Sequence, residues 1–181
     1  MKIFLKWTQK RMAVQKLLRL GNPRLYEVSR PVERQELSEL TRVVTDLHDT
    51  LMHFRDEWGP ARAVAAPQIG VLKRLVYMFT DEPTVFINPV LSNFSSEMIE
   101  LWDDCMSFPE LLVRVRRYKS CTVTYRDLDW NEHSTKLTFL SELLQHECDH
   151  LEGILAISHA IDSRSIVLKT EREYAIGFSA N

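Results

Sequence analysis

The sequence is poor in the features that mark several large classes of protein. It has only five glycines among 181 residues, which argues against low-complexity segments and flexible linkers. No apolar run approaches the roughly 18 residues that a membrane-spanning helix needs. The net charge is −2, so the chain has no overall basic field of the kind that DNA binding favours. We therefore expect a globular protein that contacts neither DNA nor a membrane.

Cysteine is also scarce, and its number is odd. The three cysteines, Cys105, Cys121 and Cys148, show no close pairing pattern and make a poor disulfide framework. A reducing compartment, where a thiolate stays free to bind a metal, fits this usage better. We predict a cytoplasmic protein, with an organellar matrix as the alternative.

The amino-terminal residues carry charge of one sign. Residues 1–15 contain lysine and arginine but no acidic residue, and they lack the continuous apolar core of a secretory signal. We interpret them as a basic arm on the surface, for which a contact with the ribosome is a second interpretation. The remainder, 16–181, has a length that fits one compact domain.

The coarse pattern along the chain predicts an α+β fold. Apolar residues spaced three and four apart predict an amphipathic helix over about 33–57. Short β-branched or aromatic runs follow, and a plausible hairpin turn lies at 127–132. Helical spacing resumes over 137–153, and a last helix is predicted over about 163–174. Because the strands run consecutively, we expect mostly antiparallel strands packed around a central buried helix. The predicted strands are 63–71, 74–79, 84–91, 97–102 and 120–128.

The second helix carries a metal-binding pattern, His146-Glu147-Cys148-Asp149-His150. Histidines four residues apart on a helix place both imidazoles on one face, where they can hold one ion. Glu147 is next to the first histidine and can act as a general base. Such a pattern is moderately specific for a metal and says little about the substrate.

A catalytic site of this kind needs a third protein ligand. The downstream candidates Glu152, His159 and Asp162 fit the spacing of the common zinc peptidases poorly. An upstream candidate is Cys105, which follows a strand-like run and precedes a turn. Taken alone, Cys105 is more easily explained as a buried core thiol. The residues themselves leave this choice open.

Three ordered motifs resemble the peptide deformylase family. These are "AAPQIG" at 65–70, "CMS" at 105–107 and "QHECDHLEG" at 145–153, and the lead-in "NPRLYEVSRPV" at 22–32 also resembles the family's first strand. The resemblance covers about residues 17–160. Together the three motifs are far more specific than any one of them.

The resemblance implies a ligand set and a reaction. Cys105, His146 and His150 match the family's metal ligands, which hold one divalent ion, usually Fe(II), with Zn, Ni or Co as alternatives. Glu147 matches the general base and acid. Gln68 and the backbone N–H of Met106 match the two donors to the formyl oxygen.

The implied substrate is the N-formyl-methionyl end of a newly made polypeptide, from which hydrolysis releases formate. Three pocket residues are expected to bind the methionine side chain, namely Ala63, Val64 and Leu143. We expect a monomer or a weak dimer. The alternatives are a related protein with altered substrate preference, a non-catalytic protein that binds nascent chains, and a metallopeptidase.

The sequence departs from the family pattern at two places. The family's Gly-x-Gly segment appears as Ala61-Arg62-Ala63, and its Glu-Gly before the cysteine appears as Asp103-Asp104. We expect Asp103 to pair with Arg116 or Arg117, and Asp104 to face solvent. These departures bear on substrate preference and rate more than on reaction type.

Overall fold

We analysed a computed structural model, which describes residues 14–173. Within these residues two α-helices, α1 and α2, stand before and after a run of seven strands, and an eighth strand follows the second helix. Five short 3-10 helices lie between or beside these elements. The bounds are α1 Leu37–Trp58, β1 Ala63–Ala65, β2 Leu75–Phe79, β3 Pro83–Ser92, β4 Met98–Asp103, β5 Leu111–Tyr118, β6 Cys121–Arg126, β7 Glu132–Leu137, α2 Ser141–Leu151 and β8 Ile166–Leu168.

The strands form two sheets. The larger has the order β1-β2-β3-β6-β7 and the smaller has the order β4-β5-β8. Every pair of neighbouring strands is antiparallel. Consecutive strands joined by short turns favour this arrangement, and the predicted hairpin turn at 127–132 does connect β6 to β7. The predicted α+β class with antiparallel strands is confirmed.

Helix α1 covers one face of the larger sheet. Its apolar residues recur every three or four positions, which puts them on one stripe of the helix. That stripe packs against Val64, Leu75, Tyr77 and Ile87 in the first core cluster. The helix begins and ends within a few residues of the predicted range, and Gly59 follows it with a positive φ.

Helix α2 lies between the two sheets. It contacts β1 and β3 of the larger sheet and β5 of the smaller one. Nine of its 11 residues are buried, including His146, Glu147 and His150. Because these three side chains are polar and buried, they need polar or metal partners inside the protein. The predicted central buried helix is α2, and it carries the metal-binding pattern.

Gly153 ends the turn after α2 in a conformation that other residues rarely adopt. Its φ is +70°, and a Cβ atom added there would lie 2.5 Å from the carbonyl oxygen of Tyr26. We expect Gly153→Ala to lower the free energy of unfolding by more than Gly21→Ala, measured by urea denaturation. Gly21 has a φ of +95° but open space around it, so its replacement reports the conformational cost alone, about 1–2 kcal/mol. Equal losses for the two variants would contradict the close approach to Tyr26.

Three local predictions were wrong or incomplete. Only the first three residues of the predicted strand 63–71 are extended, since Pro67 lies in a 3-10 helix over Ala66–Ile69. Strands β5 and β7 were not predicted, because three arginines hide the alternation of buried and exposed residues in β5 and because β7 consists almost entirely of exposed residues. The predicted last helix, 163–174, is instead the short strand β8 and a 3-10 helix, because β8 pairs with β5. Residue 174 of that prediction lies outside the described residues.

The segment before the first 3-10 helix is hydrogen-bonded to the loops that form the site. Leu18 donates its N–H to the carbonyl of Gln68 at 2.8 Å, and Leu20 does the same to Ser107 at 2.9 Å. Most of the predicted basic arm, residues 1–13, lies outside the described residues, so its role and the boundary at residue 16 stay predictions. Among the described residues, no helix is long and apolar enough to cross a membrane.

Candidate metal centre and active site

Three side chains from two parts of the chain meet in the interior of the protein. One ligand atom from each of Cys105, His146 and His150 lies within 4.8 Å of the others, and all three residues are buried. Cys105 Sγ is 3.2 Å from His150 Nε2. Cys105 comes from the turn after β4, and the histidines come from successive turns of α2. One thiolate and two imidazoles are a donor set that suits Fe, Zn, Ni or Co.

Each of the two imidazoles has one nitrogen that is in position to bind an ion. His146 Nδ1 lies 2.9 Å from Asp103 Oδ2, which leaves its Nε2 for a ligand. A carboxylate behind a metal-binding histidine fixes the ring and its tautomer. His150 faces Cys105 Sγ with Nε2, so Nε2 is the nitrogen that can bind an ion in this cluster. Among the described residues, Glu147 Oε2 is a buried atom without a hydrogen-bond partner, and such atoms normally have one, so this oxygen fits a water bound at the site.

A buried cation holds the Asp103 carboxylate in place. Arg117 Nη2 donates to Asp103 at 3.1 Å, and Nη1 donates to Asp149. Although burial tends to raise the pKa of Asp103, the charges of His146 and Arg117 lower it to about 2. Asp149 also accepts from His159 Nε2 at 3.1 Å. A continuous chain of ion pairs and polar contacts thus runs from His146 to the partly exposed His159.

Glu147 lies in an environment suited to proton transfer. Burial raises its pKa to about 7, the nearby Asp103 charge adds to the rise, and His146 and Arg62 oppose it. A carboxyl group with a pKa near neutral can both accept and release a proton. Burial lowers the pKa of both imidazoles, but Asp103 raises that of His146 well above its usual value, while the charge of His146 adds to the fall for His150.

Gln68 and the turn at 105–107 face one another across the ligand cluster. Gln68 Oε1 accepts from the N–H of Ala65 at 2.9 Å, which fixes the amide. Its Nε2 then points to Cys105 Sγ at 3.5 Å and to Ser107 Oγ at 3.3 Å. The side chain of Arg19 donates to the carbonyl of Met106 at 3.1 Å and so supports the same turn. These contacts place an amide donor beside the ligand atoms.

A cavity of about 350 Å³ opens onto this cluster. Two of the predicted pocket residues, Ala63 and Leu143, line it, as do Gln68, Met106 and Glu147. Val64 is fully buried against α1 in the first core cluster, and it does not line this cavity in the described part of the chain. Side chains alternate between the two faces of a strand, which turns Val64 away from its neighbours Ala63 and Ala65.

The other candidate ligands lie elsewhere. Each of the three downstream candidates has a partner away from the cluster. His159 lies next to Asp149, Asp162 pairs with Arg114, and Glu152 pairs with Arg74. Cys121 and Cys148 are free buried thiols, and burial raises the pKa of Cys148 to about 12. Asp104 is half exposed and accepts from Lys169 at 2.9 Å, in agreement with a solvent-facing carboxylate.

Several residues of the site were not predicted from the sequence. Arg19 and Asp149 were not expected to take part in it. Arg62 was noted only as part of the altered Gly-x-Gly segment, and His159 was considered only as a third metal ligand of poor spacing. The expected partner of Asp103 was left between Arg116 and Arg117, and the structure selects Arg117. Neighbouring side chains of a strand point to opposite faces. A prediction of strand β5 would therefore have placed Arg116 and Arg117 on different faces and indicated that one of them is buried.

Comparison with known proteins gives a consistent result. The family model described as Polypeptide deformylase matches residues 14–165. The chain is 33% identical to a peptide deformylase of Erythrobacter litoralis, and the match covers 82% of this chain and 90% of that one.

Solved structures with the same fold include two of this family. The peptide deformylase of Thermotoga maritima superposes with a TM-score of 0.76 and 26% identity, covering 82% of this chain and 99% of that one. A class I type b peptide deformylase of Acinetobacter baumannii, bound to Met-Ala-Ser, gives a TM-score of 0.74 and 28% identity, covering 81% and 98%. The sequence and structural matches therefore agree that this chain belongs to the polypeptide deformylase family.

Proposed function

We propose that this chain is a metal-dependent hydrolase that removes the N-formyl group from the amino-terminal methionine of newly made polypeptides and releases formate. The observation that carries the proposal is the cluster of Cys105, His146 and His150 beside Glu147, in a chain of the polypeptide deformylase family. Metal dependence is a property of that family. The roles given below to individual residues are our proposal.

Cys105, His146 and His150 would hold one divalent ion per chain. Fe(II) is the ion we propose, and Zn, Ni and Co suit the same ligands. When bound, such an ion supplies a Lewis acid and lowers the pKa of water. Asp103 supports this role from behind His146, because a hydrogen bond from Nδ1–H to the carboxylate fixes the ring and the tautomer whose Nε2 lone pair can bind the ion.

Glu147 moves the proton. It takes a proton from the attacking water and passes it to the amine that leaves as the C–N bond of the formamide breaks. The carboxyl must be ionised for the first transfer and protonated for the second, and a pKa near 7 suits both. The bond to carbon is made by the water oxygen, so the products are formate and a free amino terminus.

Gln68 and the Met106 N–H stabilise the negative charge that develops on the formyl oxygen. The Gln68 amide is already fixed by Ala65 and directed at the cluster, so little reorganisation is needed when the charge appears. Arg19 fixes the carbonyl of Met106 and so limits rotation of the adjoining peptide unit. Both donors belong to segments that are held by other parts of the chain.

The peptide lies along β1. Within residues 14–173 this strand is at the edge of its sheet and pairs with β2 alone, so its other edge is available to an extended peptide. Ala63 and Leu143 line the cavity next to this edge, and they form the walls of the pocket for the methionine side chain. The relative from Acinetobacter baumannii is bound to Met-Ala-Ser, a peptide with a free amino-terminal methionine. That complex supports a site built for the amino-terminal end of a peptide.

Loss of Cys105 tests the ligand set. We expect Cys105→Ala to reduce bound metal from one ion per chain to a small fraction, measured by elemental analysis after anaerobic purification with iron. A site with two imidazoles lacks the thiolate that binds such ions strongly. Cys121→Ala is the matched control, because Cys121 is a buried thiol outside the cluster. Full metal content in Cys105→Ala would favour the metallopeptidase alternative.

The formate assay tests the proposed reaction. Enzyme purified without oxygen and loaded with Fe(II) should release formate from formyl-Met-Ala-Ser and leave unblocked Met-Ala-Ser intact. Cleavage of internal bonds in the unblocked peptide would instead indicate a peptidase. Metal bound without formate release would indicate a non-catalytic member of the family.

We also propose a cytoplasmic location and a monomer or weak dimer, with an organellar matrix as the alternative. A reducing compartment is supported by three free thiols. Contact between the basic amino-terminal arm and the ribosome stays a prediction, since residues 1–13 lie outside the described residues. Co-sedimentation of the full chain and of a chain lacking residues 1–11 with ribosomes, at low and high salt, tests that contact.

A further inference from the structure

An ion pair joins a residue of the cavity wall to the first turn of α2. Arg62, immediately before β1, lines the same cavity as Glu147. Its Nη1 lies 3.0 Å from Oε1 of Glu142, near the start of α2. The Arg62 side chain is 50% exposed and that of Glu142 is 21% exposed. The pair therefore connects the segment before β1 to α2, which also contributes residues to the cavity wall, and the arginine remains accessible to a ligand.

Its place along the cleft follows from the geometry of the two elements. Glu142 lies one turn before His146, or about 6 Å along the helix axis. Arg62 precedes Ala65 by three residues, or about 10 Å along an extended chain, and the N–H of Ala65 is bonded to Gln68. A peptide that lies along β1 with its formyl group at Gln68 therefore passes Arg62 with its second or third residue.

Arg62 retains donors for such a residue. A guanidinium carries five N–H donors, and the contact with Glu142 uses one of its two terminal nitrogens.

Two of the three carboxylates in the cavity wall have cationic partners, and the third, Glu147, is the group we propose for proton transfer. Asp103 is bonded to His146 and Arg117, and Asp104 is bonded to Lys169. Among the described residues that line the cavity, Arg62 is the one arginine or lysine, and it keeps N–H donors for an arriving side chain.

On these grounds we propose that Arg62 selects formylated peptides that carry an acidic side chain in the first two residues after methionine. This inference rests on the proposed function, since it names a substrate class for the same site. The interaction is exposed, so its expected effect is modest, about two- to fivefold in kcat/KM. It should weaken at about 0.5 M salt, where exposed charges are screened.

The test compares matched formyl-peptides. The peptides are formyl-Met-Asp-Ala-Ser and formyl-Met-Ala-Asp-Ser, each against its asparagine counterpart, and the measured quantity is the ratio of kcat/KM values. At one or both positions the ratio should favour aspartate about two- to fivefold. It should fall to one in Arg62→Gln and rise in Glu142→Gln, which frees the guanidinium. Arg116→Gln, which breaks an exposed ion pair with Glu100, should leave the ratio unchanged.

Several outcomes overturn the inference. An aspartate-to-asparagine ratio of one or less in the wild type does so, and so does a ratio that Arg62→Gln leaves unchanged. A preference for lysine over glutamine at the same positions would assign the selection to Asp104 instead.

Binding of the deformylated products tests the role of Arg62 separately from the proposed reaction. If no peptide yields formate, the proposed function fails, whereas calorimetry with Met-Asp-Ala-Ser and Met-Asn-Ala-Ser still tests Arg62. Tighter binding of the aspartate product by the wild type, lost in Arg62→Gln, supports the inference. Equal binding of the two products by the wild type contradicts it.

Discussion

Replacing Glu147 by glutamine is expected to lower kcat/KM for a formyl-Met peptide by about 10²–10⁴-fold. Glutamine keeps the size and the polar atoms of the side chain, but it cannot accept a proton from water or pass one to the leaving amine. Metal content should stay at one ion per chain, because Glu147 is outside the group of ligands. Formate release and elemental analysis on the same preparation measure both quantities.

Glu152→Gln is the matched control for this prediction. Glu152 follows the same helix, but it is bonded to Arg74 on the side away from the cavity. We expect this variant to keep the wild-type rate. If Glu147→Gln kept activity within about tenfold of the wild type, Glu147 would not be the group that transfers the proton.

The second large effect is expected at Arg117. Its side chain is 4% exposed, and it holds two carboxylates, Asp103 and Asp149. Arg117→Met keeps much of the apolar stem but removes the cation that the two carboxylates share, and it leaves Asp103 beside His146 and Asp149 beside His159. Removing one partner from a buried ion pair costs about 3–5 kcal/mol. We expect a loss of that size in the free energy of unfolding of the metal-free protein, measured by urea denaturation.

Arg116→Met is the control at the neighbouring position. Arg116 points to the other face of β5, and its ion pair with Glu100 is exposed on both sides. An exposed pair contributes about 0.2–1 kcal/mol, so this variant should be close to the wild type. If the two variants lost the same stability, the buried network behind His146 would not hold the site together.

The sequence predicted the elements that depend on local pattern. The apolar periodicity of α1 and α2 is regular over several turns, so both helices were predicted. β5 was missed because its arginines conceal the alternation. β8 was mistaken for helix because only its pairing with β5 makes it extended. Such pairing joins residues about 50 apart in the chain, and local propensity carries no information about it.

Some residues of the candidate site also follow from local sequence pattern, and others do not. The two histidines follow from helical spacing alone, whereas Cys105 was identified only through a resemblance to a family. The charged chain behind His146 joins β4, β5 and α2, so its partners become neighbours only in the folded protein. The pair of Arg62 and Glu142 spans 80 residues of sequence for the same reason. Predicting such pairs requires the relative placement of sheet and helix.

A metal titration tests the central claim most directly. Metal-free protein should be prepared without oxygen, titrated with Fe(II) or Ni(II), and assayed for formate release from formyl-Met-Ala-Ser. We expect activity to rise with added metal and to reach a plateau at one ion per chain, and we expect Cys105→Ala to show no such rise. Formate release that is independent of metal, or a wild-type protein that binds one ion and releases no formate, would contradict the claim.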